Sequence, residues 1–173
     1  MADPKLDELR RVVGQHEKTI YEIVKAGGLD ELPHEDQLIG RAMQEHMHLK
    51  HIHNALEFAD LREGEPYEVM FNGEPVSPLA HVATHSAVKG QIAEDPLVRA
   101  AFEKMVATGC SAHHAEHVLG AMFTELWWSL NQTGPVAEKA MAVYRRKLKK
   151  INWDSAFRKK LTRQFGPDHS AFE

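Results

Sequence analysis

Ser77-Pro78-Leu79-Ala80-His81-Val82-Ala83-Thr84-His85 and Ser111-Ala112-His113-His114-Ala115-Glu116-His117 are the two stretches that decide the fold. Each opens with a serine suited to cap a helix start, and each then places two histidines four residues apart. On a helix, residues at i and i+4 lie about 40° apart around the axis, so each pair points from one face and can close on one metal ion. Two such helices facing each other would bring four imidazoles into a bundle interior.

The flanking sequence reads as helix in both directions. Asp3-Pro4 starts a helix whose apolar positions, from Leu6 to Val24, recur at helical spacing until Gly27-Gly28 stops them. Pro33 opens a second, expected to run unbroken to about Leu61 through Leu38, Ala42, His46, Leu49, Ile52, His53 and Leu56. Residues 62–76, with Gly64, Pro66, Gly73 and Pro75, read as a long loop. Ser77 caps a third helix, ending near Ile92; Asp95-Pro96 starts a fourth, ending at Gly109; Ser111 caps a fifth, to about Asn131. A sixth runs from Pro135 to about Ile151, and Asp154 caps a short seventh. No segment alternates apolar and polar residues as a half-buried strand does, so the expected fold is all-α, a bundle of four or five core helices with a basic C-terminal helical extension.

Composition narrows the function. The chain has 173 residues, 43% hydrophobic and 27% charged, which suits a soluble globular domain. No run approaches the roughly 20 apolar residues needed to cross a bilayer, and the first residues lack the pattern of a signal peptide, so a cytoplasmic protein with no membrane partner is expected. The one cysteine, Cys110, leaves His, Asp and Glu as the ligands for any metal. Histidine is the outlier: of twelve, ten lie between His34 and His117. Histidines can also cap helices or pair with carboxylates, but two i, i+4 pairs in one small chain favour ligation.

Other ligands are sought nearby. Glu125, on the second His-pair helix, lies about 20° from His114 around the axis and sits among Met122, Phe123, Leu126, Trp127 and Trp128; a buried acid there needs a metal or a basic partner. On the second helix, His46 shares the apolar stripe and is the first choice as a further ligand, with His53 next. Glu45-x-x-His48 has the spacing of carboxylate-bridged di-iron bundles, a pattern of low specificity. The candidate metal ligands are therefore His46, His81, His85, His113, His117 and Glu125.

Charge marks the C-terminal part. Residues 136–163 carry ten Lys/Arg and two Asp/Glu, a net of +8, so with a total of −4 the remainder carries −12. We therefore divide the chain into 1–133, a helical bundle with the metal site, and 134–173, a basic extension packed on the bundle through Val143, Tyr144, Leu148 and Trp153, with Phe157 and Phe165 as further docking residues. The sharper reading of that extension is contact with nucleic acid.

Over about residues 41–132 the chain resembles an uncharacterised bacterial family known as domain of unknown function 1841. The matching residues are Glu45-His46, Pro78-Leu79-Ala80-His81 with His85, Gln91, Asp95-Pro96, His113 to His117, Glu125, and Trp127 or Trp128. The family's aromatic before the first histidine of its pair is missing here, and His114 stands where an acid is common. The resemblance implies one site made of the six candidate ligands and implies no activity. A wider likeness to hemerythrin-like helical bundles is one of architecture alone.

The expected function is a metal-binding helical bundle, with iron favoured over zinc or manganese: non-haem iron or a di-iron centre, oxidoreductase chemistry, and dioxygen or a small molecule as partner. A zinc-dependent hydrolase is the alternative, disfavoured because Glu116 stands one residue before His117 and not where a His-Glu-x-x-His base would be. Two non-enzymatic alternatives are a nucleic-acid-binding module using the basic helices, and a homo-oligomer joined at the Trp127-Trp128 face. Cys110 has no identifiable partners for nucleophilic catalysis.

Overall fold

A computed structural model describes residues 4–61, 68–71, 74–132 and 136–151. The expected helix at Asp154, the docking residues Trp153, Phe157 and Phe165, and the rest of the basic extension lie outside them. The chain is all-α: α1 Pro4–Lys25, α2 His34–His46, α3 Lys50–Glu57, α4 Pro78–Glu94, α5 Pro96–Ala107, α6 Ala112–Leu130 and α7 Val136–Lys150.

The caps follow from residue chemistry. Ser77 Oγ accepts from the Ala80 amide at the start of α4, Asp95 from Leu97 at α5, and Ser111 from His114 at α6, each satisfying an amide that has no partner inside its helix. α1 and α5 end in the same way. Gly27 and Gly109 take φ values of 87° and 93°, and the following amides, Gly28 and Cys110, reach back to the Ile23 and Met105 carbonyls. That double closure needs a left-handed residue, which glycine adopts without steric cost.

Two expectations are corrected. The predicted second helix breaks at Met47–Leu49, where Leu49 turns to extended backbone (φ −80°, ψ 115°) and buries its side chain. No Pro or Gly announces the break, and the apolar spacing of Ala42, Met43, His46, Leu49, Ile52 and Leu56 runs straight through it. Periodicity alone therefore gives one helix where there are two. The expected loop at 62–76 holds a short antiparallel hairpin, β1 Val69–Phe71 with β2 Glu74–Val76, in the register Val69 to Val76 and Phe71 to Glu74. Three-residue strands are too short to show alternation in sequence.

The chain forms two compact units that divide after Ser86, inside α4. In the first, Ile20, Tyr21 and Val24 of α1 pack with Ala42 and Met43 of α2, Ile52 and Leu56 of α3, and Val82 of α4. In the second, Val88 packs with Val98, Ala101 and Met105 of α5, Val118, Leu119 and Leu126 of α6, and Tyr144 and Leu148 of α7. The sequence marks a change of composition at 134 and none at 86, and α7 belongs to the second core. Its basic residues Arg145, Arg146, Lys149 and Lys150 are exposed, while Tyr144, Leu148 and Ile151 are buried.

Gly14 shows how closely the first unit is packed: a Cβ there would lie 2.6 Å from the Ala59 carbonyl oxygen. Gly14→Ala gains about 1 kcal/mol of helix propensity, but a contact with backbone cannot be relieved by a rotamer change, and overpacking costs about 1–3 kcal/mol. A net loss of stability is expected in urea unfolding.

A second test concerns acid. Glu57 is bonded by Lys25 at 2.9 Å, with Tyr21 and Lys18 beside it, and these hold its carboxyl down to about 2 from an ordinary 4.5. A depressed carboxyl adds stability above its unfolded pKa and loses it as the pH falls. Between about pH 4.5 and 2, Glu57→Gln should flatten the stability profile relative to the unsubstituted chain, and an unchanged slope would remove Glu57 from the account.

Candidate metal centre

In the first unit the structure brings together His46, His81 and His85. His46 is the last residue of α2 and is 1% exposed; His85, on α4, is 3% exposed; His81 lies one turn before it, half-buried. The ring centroids are 4.9 Å apart for His46 and His81, 4.5 Å for His46 and His85, and 4.8 Å for His81 and His85. One ligating nitrogen from each ring can be chosen so that all three lie within 4.8 Å of one another.

The local sequence explains each placement. Ser77 and Pro78 start α4 so that His81 and His85 fall in its first two turns and share one face. The break after His46 leaves that ring at the C-terminal end of α2. There His46 Nδ1 donates to the Ala42 carbonyl at 2.6 Å, which puts the proton on Nδ1 and the lone pair on Nε2. Metal-bound histidines are oriented by this kind of hydrogen bond from the other ring nitrogen.

His113 and His117 belong to the second unit and are half-buried on α6, with Nε2 to Nε2 at 2.9 Å and rings nearly perpendicular. At that distance one nitrogen donates to the other. His114 turns back to the cap, with Nδ1 3.0 Å from Ser111 Oγ. Glu125 is not brought to the histidine pair of its own helix. It lies two turns on, its side chain is 60% exposed, and both its oxygens stand 2.6 Å from Lys147 Nζ. The apolar residues around it in sequence do not bury it, because Trp127 and Trp128 are themselves exposed. His53 packs its edge against Tyr21 at 6.0 Å, and His48 falls beyond the end of α2, so Glu45-x-x-His48 is not a helical pair.

A buried acid on α6 does exist, but it is Glu116. It is 8% exposed and is bonded by Lys89 Nζ at 2.8 Å. The signal was legible: Glu116 is flanked by Ala115 and Val118-Leu119, which the core demands, whereas attention to the His-Glu-x-x-His pattern sets it aside. Cys110 is buried, and burial pushes its thiol up to about 11, so it stays protonated at neutral pH and unsuited to nucleophilic attack.

Because the Glu125–Lys147 pair is open to solvent, Glu125→Gln should change unfolding stability by less than ~1 kcal/mol; a loss several times larger would mean that this carboxylate carries a buried role.

No protein-family model, curated protein or solved structure matches the chain.

Proposed function

We propose that this chain is a metal-binding helical protein whose ion is held by His46, His81 and His85. The observation that carries the reading is the burial of His46 and His85 together with His81 in one cluster, with ligating nitrogens mutually within 4.8 Å. Neutral imidazoles bring no charge that must be desolvated, so they can be buried at a cost that hydrogen bonds or a metal ion offset. In a tetrahedral site with bonds of about 2.0–2.1 Å the nitrogens stand about 3.3 Å apart, a spacing these rings reach by small rotations. Three protein ligands leave further coordination positions for water or a small molecule, as catalytic rather than purely structural sites do.

Imidazole donors select a first-row transition ion over magnesium or calcium. We assign non-haem iron, with dioxygen or a small molecule as partner and redox chemistry as the reaction. One observation favours zinc as a second reading. The acid expected to join the set, Glu125, is engaged by Lys147, and three imidazoles with no carboxylate are the donors of zinc sites that activate water. The family resemblance includes these three residues among its six and is silent on the ion. Helix α7 is read as a solvated basic face and not a nucleic-acid arm, because its apolar stripe is taken up by the second core.

The test is elemental analysis of protein purified without a histidine tag. Iron should be bound in stoichiometric amount, and zinc in its place would shift the chemistry to hydrolysis. His85→Ala should lower metal content by at least tenfold, as losing a ligand exceeds the 10- to 100-fold typical of its supporting partners, while His34→Ala and Glu125→Gln leave it unchanged. Chelation should lower the melting temperature of the unsubstituted chain and not that of His85→Ala. Equal metal content in all four proteins would end the reading.

A further inference from the structure

We propose that the groove between α6 and α7 is a docking site for an acidic amphipathic helix of another protein, which lays its apolar face between the two helices and its carboxylates along Lys139, Arg146 and Lys150. The site lies wholly within the second unit and is independent of the centre at His46, His81 and His85.

The groove is what the second core leaves over. Tyr144 and Leu148 turn α7 toward that core, where they meet Leu126 of α6. Val136 and Val143 fall on another side of α7 and, with Met122 and Ala140, line an open groove of about 180 Å³. A cavity of about 150 Å³ holds a benzene ring, so this one takes a large apolar side chain. Val136 is 46% exposed, so part of the floor faces water. From Val136 to Lys147 the lining follows about three turns of α7, or about 17 Å. An apolar floor of that length, bounded by two helices, fits a third helix seated through residues at i, i+3 or i+4, and i+7.

Charge selects the sign of the partner. Lys147 is engaged by Glu125 across the two helices. Lys139, Arg146 and Lys150 stand at i, i+7 and i+11, within about 40° of one another around α7. All three are exposed, and none has an ion-pair partner among the described residues. Lys139 lines the groove, so this row forms its outer bank on α7. Carboxylates at matching spacing along one edge of a docked helix meet that row. Ion pairs at an exposed rim add little affinity and much selectivity, so the apolar floor holds the partner and the row chooses it. Nucleic acid is the poorer fit. Its phosphates would meet the Glu125 carboxylate, 60% exposed in the groove wall, and would leave the apolar floor unused.

The test is fluorescence anisotropy of the full chain with a labelled peptide of about 16 residues, leucine on one face and glutamate along both edges, long enough to form a helix when docked. Saturable one-to-one binding is expected, weakening as salt is raised. K139E/K150E should weaken it about tenfold or more, because like charges then face each other. Val136→Glu should do the same by placing an acid under the apolar face of the peptide. R145E/K149E makes the same change of charge on the side of α7 away from Val143 and should alter affinity by less than about threefold. A peptide of the same composition with its leucines redistributed around the helix should not bind. Far-UV circular dichroism checks each variant, and where K139E/K150E does not fold Lys139→Gln replaces it. Absence of binding, or equal losses in K139E/K150E and R145E/K149E, overturns the proposal. So does an oligothymidylate that displaces the peptide and is itself weakened by K139E/K150E, which would make the row a nucleic-acid contact. Sedimentation of the unsubstituted chain as a dimer that Val136→Glu dissociates would give the groove to a second copy and overturn it as well.

Discussion

An imidazole ring has two nitrogens, and when it is buried each of them needs an assigned role. That constraint organises the first unit. His46 and His85 are almost wholly removed from solvent, and His46 uses Nδ1 on the carbonyl of its own helix, four residues back. The bond is available because α2 stops at His46 and leaves the ring at the helix end. Had the helix continued to Leu61, a different set of side chains would have faced α4. The break at Met47–Leu49, the inward Leu49 and the orientation of His46 are therefore one structural event seen at three positions.

The second unit meets the analogous demand for a charged group. Glu116 is buried beside apolar positions that α6 must pack against α5 and α7, and the Lys89 ammonium balances it. Removing one partner of such a pair is costly in a way that removing an exposed pair, such as Glu125 and Lys147, is not. The same helix thus carries two carboxylates in opposite circumstances, and depth of burial, not sequence neighbourhood, decides which can take part in chemistry.

Much of the architecture is legible from caps. Ser77, Asp95, Ser111, Gly27 and Gly109 each act through a bond to backbone within a few residues, so their meaning is local and readable. The burial of His46 was also readable, because its place on the apolar stripe is a property of spacing. What could not be read depends on tertiary contact. The break before α3 has no breaker residue, the hairpin strands are three residues long, and the division after Ser86 falls in the middle of a continuous helix. The exposure of Glu125 is of the same kind: its neighbours Trp127 and Trp128 are apolar in sequence but themselves exposed, which only tertiary contact decides. Glu116, among Ala115, Val118 and Leu119, is buried although it fits no motif.

The joint between α5 and α6 has a bearing on timing and tolerance rather than on chemistry. Gly109 in its left-handed turn, the buried Cys110 and the Ser111 cap leave almost no slack between the end of one helix and the start of the next. The angular phase of α6 is in effect indexed to α5. One residue inserted between Ser111 and His113 would turn every later side chain of α6 by about 100° relative to its cap, carrying His113, Glu116 and His117 away together. A single residue, Asp95, joins α4 to α5 with as little slack, so the phase of one helix is handed to the next like the hour on a clock face.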